Sequence, residues 1–186
     1  MAIPAVIITK QDINKCLDFS RNIINTNNQY NRFSKSKNIQ IERTFIGKLA
    51  EYVFYKYLLE IGIQYSLGDM FDIFPGTLNV DSYDFQLKNG KTVDIKTASK
   101  PFHKRIMVPI TQWNLAKDFY VGIKLETNCD KRGNIIPESI SKALIYGYCT
   151  REQLSQSKTQ NFGDGPCKHI LLNNLTNIKY LIKKFS

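Results

Sequence analysis

Two aspartates and a lysine, Asp84, Asp94 and Lys96, have the residue types and the spacing that metal-assisted phosphodiester hydrolysis requires. Two carboxylates that face each other repel unless a positive group lies between them, and Mg²⁺, which prefers oxygen ligands, suits such a gap. Lys96 lies two residues beyond Asp94, so on a strand it points the same way and can hold a phosphate or activate water. The three residues therefore predict a site for Mg²⁺, for which Mn²⁺ can substitute.

Asp84 and Asp94 meet only if the chain between them forms a hairpin of one particular register. A three-residue loop at 88–90, with Gly90 in the left-handed conformation, places Asp84 opposite Asp94. This register also puts the polar residues of both strands on one face and the apolar residues on the other. A two-residue loop would instead place Asp84 opposite Ile95, so the alternation of polar and apolar residues favours the longer loop.

A helix from about Glu42 to Glu60, ended by Gly62, carries a third acidic candidate, Glu51. Its apolar stripe consists of Phe45, Ile46, Leu49, Ala50, Val53, Phe54, Tyr57 and Leu58. At about 100° per residue, Glu51 lies roughly 120° from the centre of that stripe. We therefore expect its carboxylate at the edge of the buried face, where it can reach a cleft while the helix stays packed.

The remaining elements follow from local signals. Thr9 and Asp12 resemble a capping box, which predicts a first helix over about 10–25, and the polar stretch Asn25 to Gln40 is expected to be a loop or a frayed helix end. A short helix is expected to start at Thr150. Alternating or apolar segments predict strands at 83–87, 92–97, 105–108, 119–125 and 143–149.

We expect one α/β domain over 1–186, with a mixed central β-sheet flanked by helices. The expected parts are an N-terminal helical part (about 1–40), a catalytic core (about 42–126) and a C-terminal part with a strand, a helix and recognition loops (about 127–186). The length suits a single domain, and a hydrophobic share of 42% is enough for a core.

The chain is strongly basic, with 26 Lys and Arg against 16 Asp and Glu, a formal net charge of +10. Such an excess favours a polyanionic partner, most commonly nucleic acid. No apolar run approaches the length of a membrane span, and Met1 to Ile8 lack the pattern of a secretion signal. Four cysteines without CxxC spacing, Cys16, Cys129, Cys149 and Cys167, are expected to be reduced thiols in a cytoplasmic protein.

The order of these elements resembles the PD-(D/E)xK nuclease superfamily, to which many restriction endonucleases and several repair and recombination nucleases belong. The resemblance spans about Glu42 to Glu126, with Asp94-Ile95-Lys96 in the Asp-x-Lys position. It implies a restriction endonuclease-like core. It also implies the roles of five residues: Asp84, Asp94 and the Ile95 carbonyl as metal ligands, Lys96 as the catalytic lysine, and Glu51 as the helix-borne carboxylate that contacts the metal or its water.

The chain departs from the superfamily pattern before Asp84, where Tyr83 stands in place of proline. Asp81, two residues earlier than Tyr83, is an alternative for the role of Asp84.

A basic run follows the proposed catalytic lysine directly, and we expect it to contact DNA phosphates near the mouth of the site. Its members are Lys100, His103, Lys104 and Arg105. The polar loops 127–141 and 160–169 are candidates for base readout. A zinc site is not predicted, because Cys167, His169 and the distant His103 fall short of a four-ligand pattern.

These observations predict a Mg²⁺-dependent DNA endonuclease, most simply a small type II restriction-type enzyme that cuts duplex DNA as a homodimer, since two strands need two active sites. A structure-specific repair or recombination nuclease is an alternative within the same class. A catalytically silent nucleic-acid-binding module of the same fold is a third interpretation. An RNA substrate also stays open, because metal and carboxylate chemistry does not sense the sugar.

Overall fold

The computed structural model of this protein describes residues 2–25, 36–68, 70–73 and 83–185. These ranges contain four α-helices: α1 (Lys10–Asn25), α2 (Lys37–Glu60), α3 (Arg151–Ser155) and α4 (Lys179–Ile182). They also contain eight strands: β1 (Ala5–Ile7), β2 (Phe85–Gln86), β3 (Thr92–Ala98), β4 (Arg105–Pro109), β5 (Phe119–Glu126), β6 (Lys142–Thr150), β7 (Thr159–Asn161) and β8 (Pro166–Leu171).

Five strands form a mixed sheet in the order β1-β6-β5-β3-β2. The β3–β5 pair is parallel, and the other three pairs are antiparallel. Between β3 and β5 the chain leaves this sheet and forms β4 and a short 3₁₀ helix, as a parallel connection requires a crossover. The expected α/β class with a mixed sheet and helices is therefore confirmed.

One face of the five-stranded sheet is covered by α1 and α2. The stripe of α2 packs its apolar residues, such as Leu49, Val53 and Phe54, against Val93 and Ile95 of β3, which alternate with the polar residues of that strand. The first helix begins as expected, because the Thr9 N–H donates to Asp12 Oδ2 at 2.8 Å and the Asp12 N–H donates to Thr9 Oγ1 at 3.2 Å.

The other face is covered by a second, three-stranded sheet in the order β4-β8-β7. Ile106 and Val108 of β4 pack against Ala98 of β3 and Tyr120 of β5 in a second apolar cluster, which Leu154 of α3 also joins. The five-stranded sheet thus lies between a helical layer and a smaller β-layer.

A close approach of two chain segments occurs at Gly122 of β5 and Gly147 of β6, which pair with each other beside a register shift. A Cβ at Gly147 would collide with the Thr176 carbonyl oxygen, and one at Gly122 would collide with the Leu175 side chain. Thr176 bonds in both directions to Tyr148, with N···O distances of 2.8 Å. The two glycines therefore leave the space in which residues 175–176 cross the sheet.

Several boundaries differ from those expected. The second helix begins at Lys37 rather than near Glu42, so residues 37–40 of the polar stretch are helical, and positions 26–35 of that stretch lie outside the described residues. Strands β1, β7 and β8 were not expected, and residues 160–161 and 166–169 of the predicted loop 160–169 belong to a hairpin. Among the described residues, no helix combines the length and the apolar character that crossing a bilayer requires.

Candidate functional site

The hairpin of β2 and β3 has the register expected from the sequence. Gln86 pairs with Thr92, and Phe85 pairs with Val93. The loop closes through the Gly90 N–H, which donates to the Leu87 carbonyl at 2.9 Å, and Gly90 has φ = 81°. The longer loop is thus confirmed, and its left-handed residue is the one for which glycine carries no steric penalty.

Asp84 lies one residue before β2, level with Asp94 on β3. Its Oδ2 accepts a hydrogen bond from the Ile95 N–H at 2.6 Å. Because β2 begins only at Phe85, the side chain of Asp84 provides an acceptor where a β2 that began earlier would have provided a carbonyl. The carboxylate is therefore fixed against the backbone of the residue that follows Asp94.

Asp94 and Lys96 project from the same face of β3 and form an ion pair, with Lys96 Nζ 2.6 Å from Asp94 Oδ2. Both side chains are mostly buried, with 18% and 22% of their surfaces exposed. Burial alone would lower the pKa of Lys96, but the carboxylates of Asp94 and Asp84 raise it above its usual value. Lys96 is therefore a cation in the absence of substrate.

Glu51 reaches the same group from α2. Its Oε2 lies 2.6 Å from the Nζ of Lys48, one turn earlier on the helix. The Lys48 side chain is only 6% exposed, and its Nζ lies 5.0 Å from the centre of the Phe19 ring. Lys48 thus neutralises Glu51 from inside the packed layer of α1 and α2, which sequence reasoning did not predict.

The pKa of Asp84 depends on the charges around it. Its pKa lies well above the usual aspartate value, first because the side chain is buried and then because the negative charges of Glu51 and Asp94 disfavour ionisation. The Ile95 hydrogen bond and the charge of Lys96 oppose this rise but do not cancel it. The structure therefore brings Glu51, Asp84, Asp94 and Lys96 within electrostatic reach of one another.

Glu51, Asp84, Asp94 and Lys96 are not arranged as a preformed metal site. Among the described residues, no three His, Cys, Asp or Glu side chains form a group that could hold a metal ion. Glu51 and Asp94 are instead paired with lysines, at 2.6 Å each. Asp81, the alternative to Asp84, lies outside the described residues.

Tyr120 of β5 is a further neighbour that the sequence analysis did not single out. It pairs with Asp94 across the parallel strands, and its side chain is almost fully buried. Its hydroxyl oxygen accepts a hydrogen bond from the Lys117 N–H at 3.0 Å. Burial raises the pKa of Tyr120, so Tyr120 is an uncharged neighbour of the carboxylates. The sequence alone does not identify Tyr120, because only the parallel pairing of β5 with β3 places it beside Asp94.

The four residues expected to contact DNA phosphates lie between β3 and the start of β4, and they differ in what they do. Lys100 Nζ donates to the Gly133 carbonyl at 2.7 Å and so fixes the loop 127–141. His103 Nδ1 accepts from the Lys100 N–H at 3.3 Å, and burial followed by the charges of Lys124 and Lys100 lowers the pKa of His103. His103 can therefore offer a phosphate an N–H donor but not a full charge at neutral pH.

Lys104 is exposed, and Arg105 stacks on Phe162 with its guanidinium carbon 4.7 Å from the ring centre. Phe162 lies at the turn between β7 and β8, in the segment expected to read bases. That segment therefore stands directly beside the basic run.

A surface cavity of about 370 Å³ lies elsewhere, lined by residues that include Lys124, Asn128 and Ser141. Glu51, Asp84, Asp94 and Lys96 do not line this cavity. Its lining holds no pair of carboxylates and no ligand set, so we attach no chemistry to it.

Cys167, His169 and His103 are among the described residues, in which no three His, Cys, Asp or Glu side chains form a group that could hold a metal ion. All four cysteines are free thiols. Burial raises the pKa of Cys16 and of Cys149 to about 12 in each case, which makes both thiols inert at neutral pH.

Comparisons of this chain with protein-family models, with curated proteins and with solved structures found no match.

Proposed function

We propose that this protein is a Mg²⁺-dependent DNA endonuclease with a restriction endonuclease-like core, which cuts duplex DNA as a homodimer. The observation that carries the proposal is the geometry at β3, where Asp84 Oδ2 accepts from the Ile95 N–H at 2.6 Å and Asp94 Oδ2 lies 2.6 Å from Lys96 Nζ; burial and the charges of Glu51 and Asp94 also raise the pKa of Asp84. Carboxylates that are held together against their own repulsion mark sites built for a cation more often than sites built for stability.

The donor set fits a divalent cation by its chemistry. Glu51, Asp84, Asp94 and the Ile95 carbonyl offer oxygen ligands, which Mg²⁺ and Mn²⁺ prefer. Mg²⁺ would polarise the phosphoryl group and lower the pKa of an attacking water. For the carboxylates to become ligands, the ammonium groups of Lys48 and Lys96 must leave them.

Lys96 has the role of an electrostatic stabiliser in this proposal. Its pKa is raised, so its ammonium group has three N–H donors and no lone pair with which to bind metal. Released from Asp94, it can donate to the attacking water or to the charge that develops on the phosphoryl oxygens. Tyr120 excludes water from one side of Asp94 because it is buried and uncharged.

A second candidate is a DNA-binding protein without catalysis. The pairing of Glu51 and Asp94 with lysines, and the absence of a three-ligand group among the described residues, favour it. In that case both ion pairs persist in the presence of Mg²⁺, and the basic surface alone is functional.

The deciding experiment is incubation of the full chain with plasmid DNA in Mg²⁺, in Mn²⁺ and in EDTA. The nuclease proposal expects cleavage in both metals and none in EDTA. Asp94→Asn provides the inactive variant, and Asp18→Asn, which removes the same charge from the exposed surface of α1, provides the matched control. Binding of DNA without cleavage in either metal would favour the second candidate.

The form of the products separates the subclasses. Discrete fragments from linear duplex DNA indicate a restriction-type enzyme, whereas selective cutting of branched or flapped DNA indicates a repair or recombination nuclease. A duplex RNA of the same sequence tests whether the sugar matters. Sedimentation of the DNA-bound protein tests the homodimer.

A further inference from the structure

An exposed ion pair joins α2 to the turn between β7 and β8. Arg43 Nη2 lies 2.6 Å from Asp164 Oδ2, and the two side chains are 47% and 50% exposed. The helix covers one face of the five-stranded sheet, and the β7–β8 hairpin belongs to the layer on the other face. The pair therefore connects the two layers around the border of the sheet.

The cluster of Glu51, Asp94 and Lys96 also spans these two layers. Glu51 belongs to α2, whereas Asp94 and Lys96 share their face of β3 with Ala98, which packs in the opposite layer. Arg43 precedes Glu51 by eight residues, which is about two turns or roughly 12 Å along the helix. B-DNA advances that distance in about three to four base pairs. A duplex that runs along α2 with one phosphate at the level of Glu51 would therefore have a further phosphate at the level of Arg43.

The turn that carries Asp164 is ordered without help from Arg43. Asn161 Oδ1 accepts hydrogen bonds from the N–H groups of Gly163 and Gly165 at 2.8 and 3.2 Å, on either side of Asp164. Phe162 packs edge-on against His169, with ring centres 5.1 Å apart. Asp164 is therefore presented to Arg43 by a structured turn, and replacing it by asparagine does not remove either of the two bonds to Asn161.

Carboxylate and phosphate bind a guanidinium in the same bidentate manner. An ion pair between half-exposed side chains contributes little to stability, so its exchange for another anion costs little. The chain carries a net charge of +10, which favours a polyanion over the internal carboxylate.

We propose that Arg43 binds a backbone phosphate of duplex DNA and that Asp164 occupies the place of this phosphate when DNA is absent. This inference rests on the proposed function, since it takes duplex DNA as the ligand. Arg43 then pairs with Asp164 in the free protein and with the phosphate in the complex.

The test measures binding of the full chain to a fluorescent 20-base-pair duplex in EDTA, where cleavage does not occur, at several salt concentrations. Asp164→Asn is expected to tighten binding about threefold to fivefold, because phosphate no longer competes with a carboxylate. Arg43→Gln is expected to weaken binding and to reduce the slope of log K against log[salt] by about one, as the loss of one phosphate contact does. In the Arg43→Gln background, Asp164→Asn should have no more effect than Asp18→Asn has.

Asp18 and Arg21 supply matched controls, because they form an exposed ion pair on α1, at 3.8 Å, and carry the same charges. Asp18→Asn and Arg21→Gln reproduce the change in net charge without touching the proposed phosphate site. Equal effects of the two pairs of variants would overturn the inference, and so would unchanged binding by Arg43→Gln. If the Arg43 and Asp164 variants are coupled in DNA binding but the protein does not cleave DNA in Mg²⁺, the phosphate site is upheld and the nuclease proposal is overturned. Cleavage in Mg²⁺ together with uncoupled Arg43 and Asp164 variants would do the reverse.

Discussion

The helix α2 carries two buried lysine–carboxylate groups, and they differ in charge balance. Lys56 Nζ lies 2.7 Å from Asp12, which also accepts the Thr9 N–H, so one cation meets one carboxylate. Burial alone would raise the pKa of Asp12, yet the hydrogen bonds from Lys56 and Thr9 lower it.

At the other group, eight residues earlier along α2, Lys48 meets Glu51, but Asp84 and Asp94 lie within electrostatic reach, and the pKa of Asp84 rises. Both groups bury an ion pair, with Lys56 and Asp12 23% and 11% exposed and Lys48 and Glu51 6% and 19% exposed. Burial of an ion pair by itself therefore does not mark a functional site. An excess of carboxyl groups over lysines does: Glu51, Asp84 and Asp94 meet only Lys48 and Lys96, and a metal cation can replace the proton that the raised pKa of Asp84 favours.

Removal of one carboxylate from the surplus should have the largest effect. Asp94→Asn is expected to reduce DNA cleavage by about three orders of magnitude or more, since it removes a metal ligand whose contribution to the transition state is several kcal/mol. DNA binding should be unchanged or tighter, because one negative charge that faces phosphate is gone. A gel shift and a cleavage assay on the same preparation measure both. Full turnover by Asp94→Asn would place the chemistry elsewhere.

The lysine of the Asp-x-Lys element should rank next. Lys96→Ala is expected to lower single-turnover cleavage by about 100- to 1,000-fold, the usual cost of removing one donor to a developing negative charge. Mn²⁺ affinity, measured by calorimetry, should not fall, because an ammonium is not a ligand. Lys96→Arg should restore little, since a guanidinium is larger and directed differently. A loss of metal affinity equal to the loss of rate would contradict the assigned role.

The two lysines of α2 test the comparison directly. Lys48→Met is expected to lower the concentration of Mn²⁺ needed for half-saturation several-fold, because the ammonium that competes for Glu51 is removed. Lys56→Met should leave Mn²⁺ binding unchanged and cost about 1–2 kcal/mol of stability, through the charged hydrogen bond lost at Asp12. Calorimetric titration and urea unfolding of both variants check this. Identical behaviour of the two would show that the groups do not differ in kind.

The smallest expected effect is a pair of opposite pH dependences in metal-free protein. The folded-state pKa of Asp12 is lowered from the reference value of 3.8, so its contribution to stability is present above the unfolded pKa and is lost as pH falls through the folded pKa. The folded-state pKa of Asp84 is raised, so its contribution is present below about 3.8 and is lost as pH rises through the folded pKa.

At pH 7 in EDTA, Asp12→Asn should therefore destabilise the protein by about 1 kcal/mol, and Asp84→Asn should stabilise it by a similar amount. Both differences should shrink toward pH 3. Urea unfolding between pH 3 and pH 7 measures them. Changes of the same sign at pH 7 would remove the distinction between the two groups.

Sequence reasoning succeeded where local residues decide the structure. The capping box at Thr9 and Asp12 and the hairpin loop ending at Gly90 depend on neighbours within a few positions, and each has the predicted geometry. The helix at Thr150 is another such case: Thr150 and Gln153 form a capping box in both directions. The register of the hairpin then placed Asp84 level with Asp94.

Sequence reasoning failed where residues far apart in the chain determine the structure. Strand β1 is three residues long and is defined by its pairing with β6, near the other end of the chain. All three residues of β7 are exposed, so it lacks the alternation that identifies a strand. Lys48 was overlooked because its burial depends on Phe19 of another helix. Its role beside Glu51 could not be read from the spacing within α2.

The close contact of Gly122 and Gly147 with residues 175–176 limits how the sequence of this protein can diverge. Gly122 pairs with Lys96 across the parallel strands, and neither glycine can acquire a side chain while residues 175–176 cross the sheet there. A change at either position is tolerated only together with a new path for the crossing segment. In distant homologues, the two glycines and that crossing should therefore be inherited or lost as one unit, whereas the surface loops vary independently.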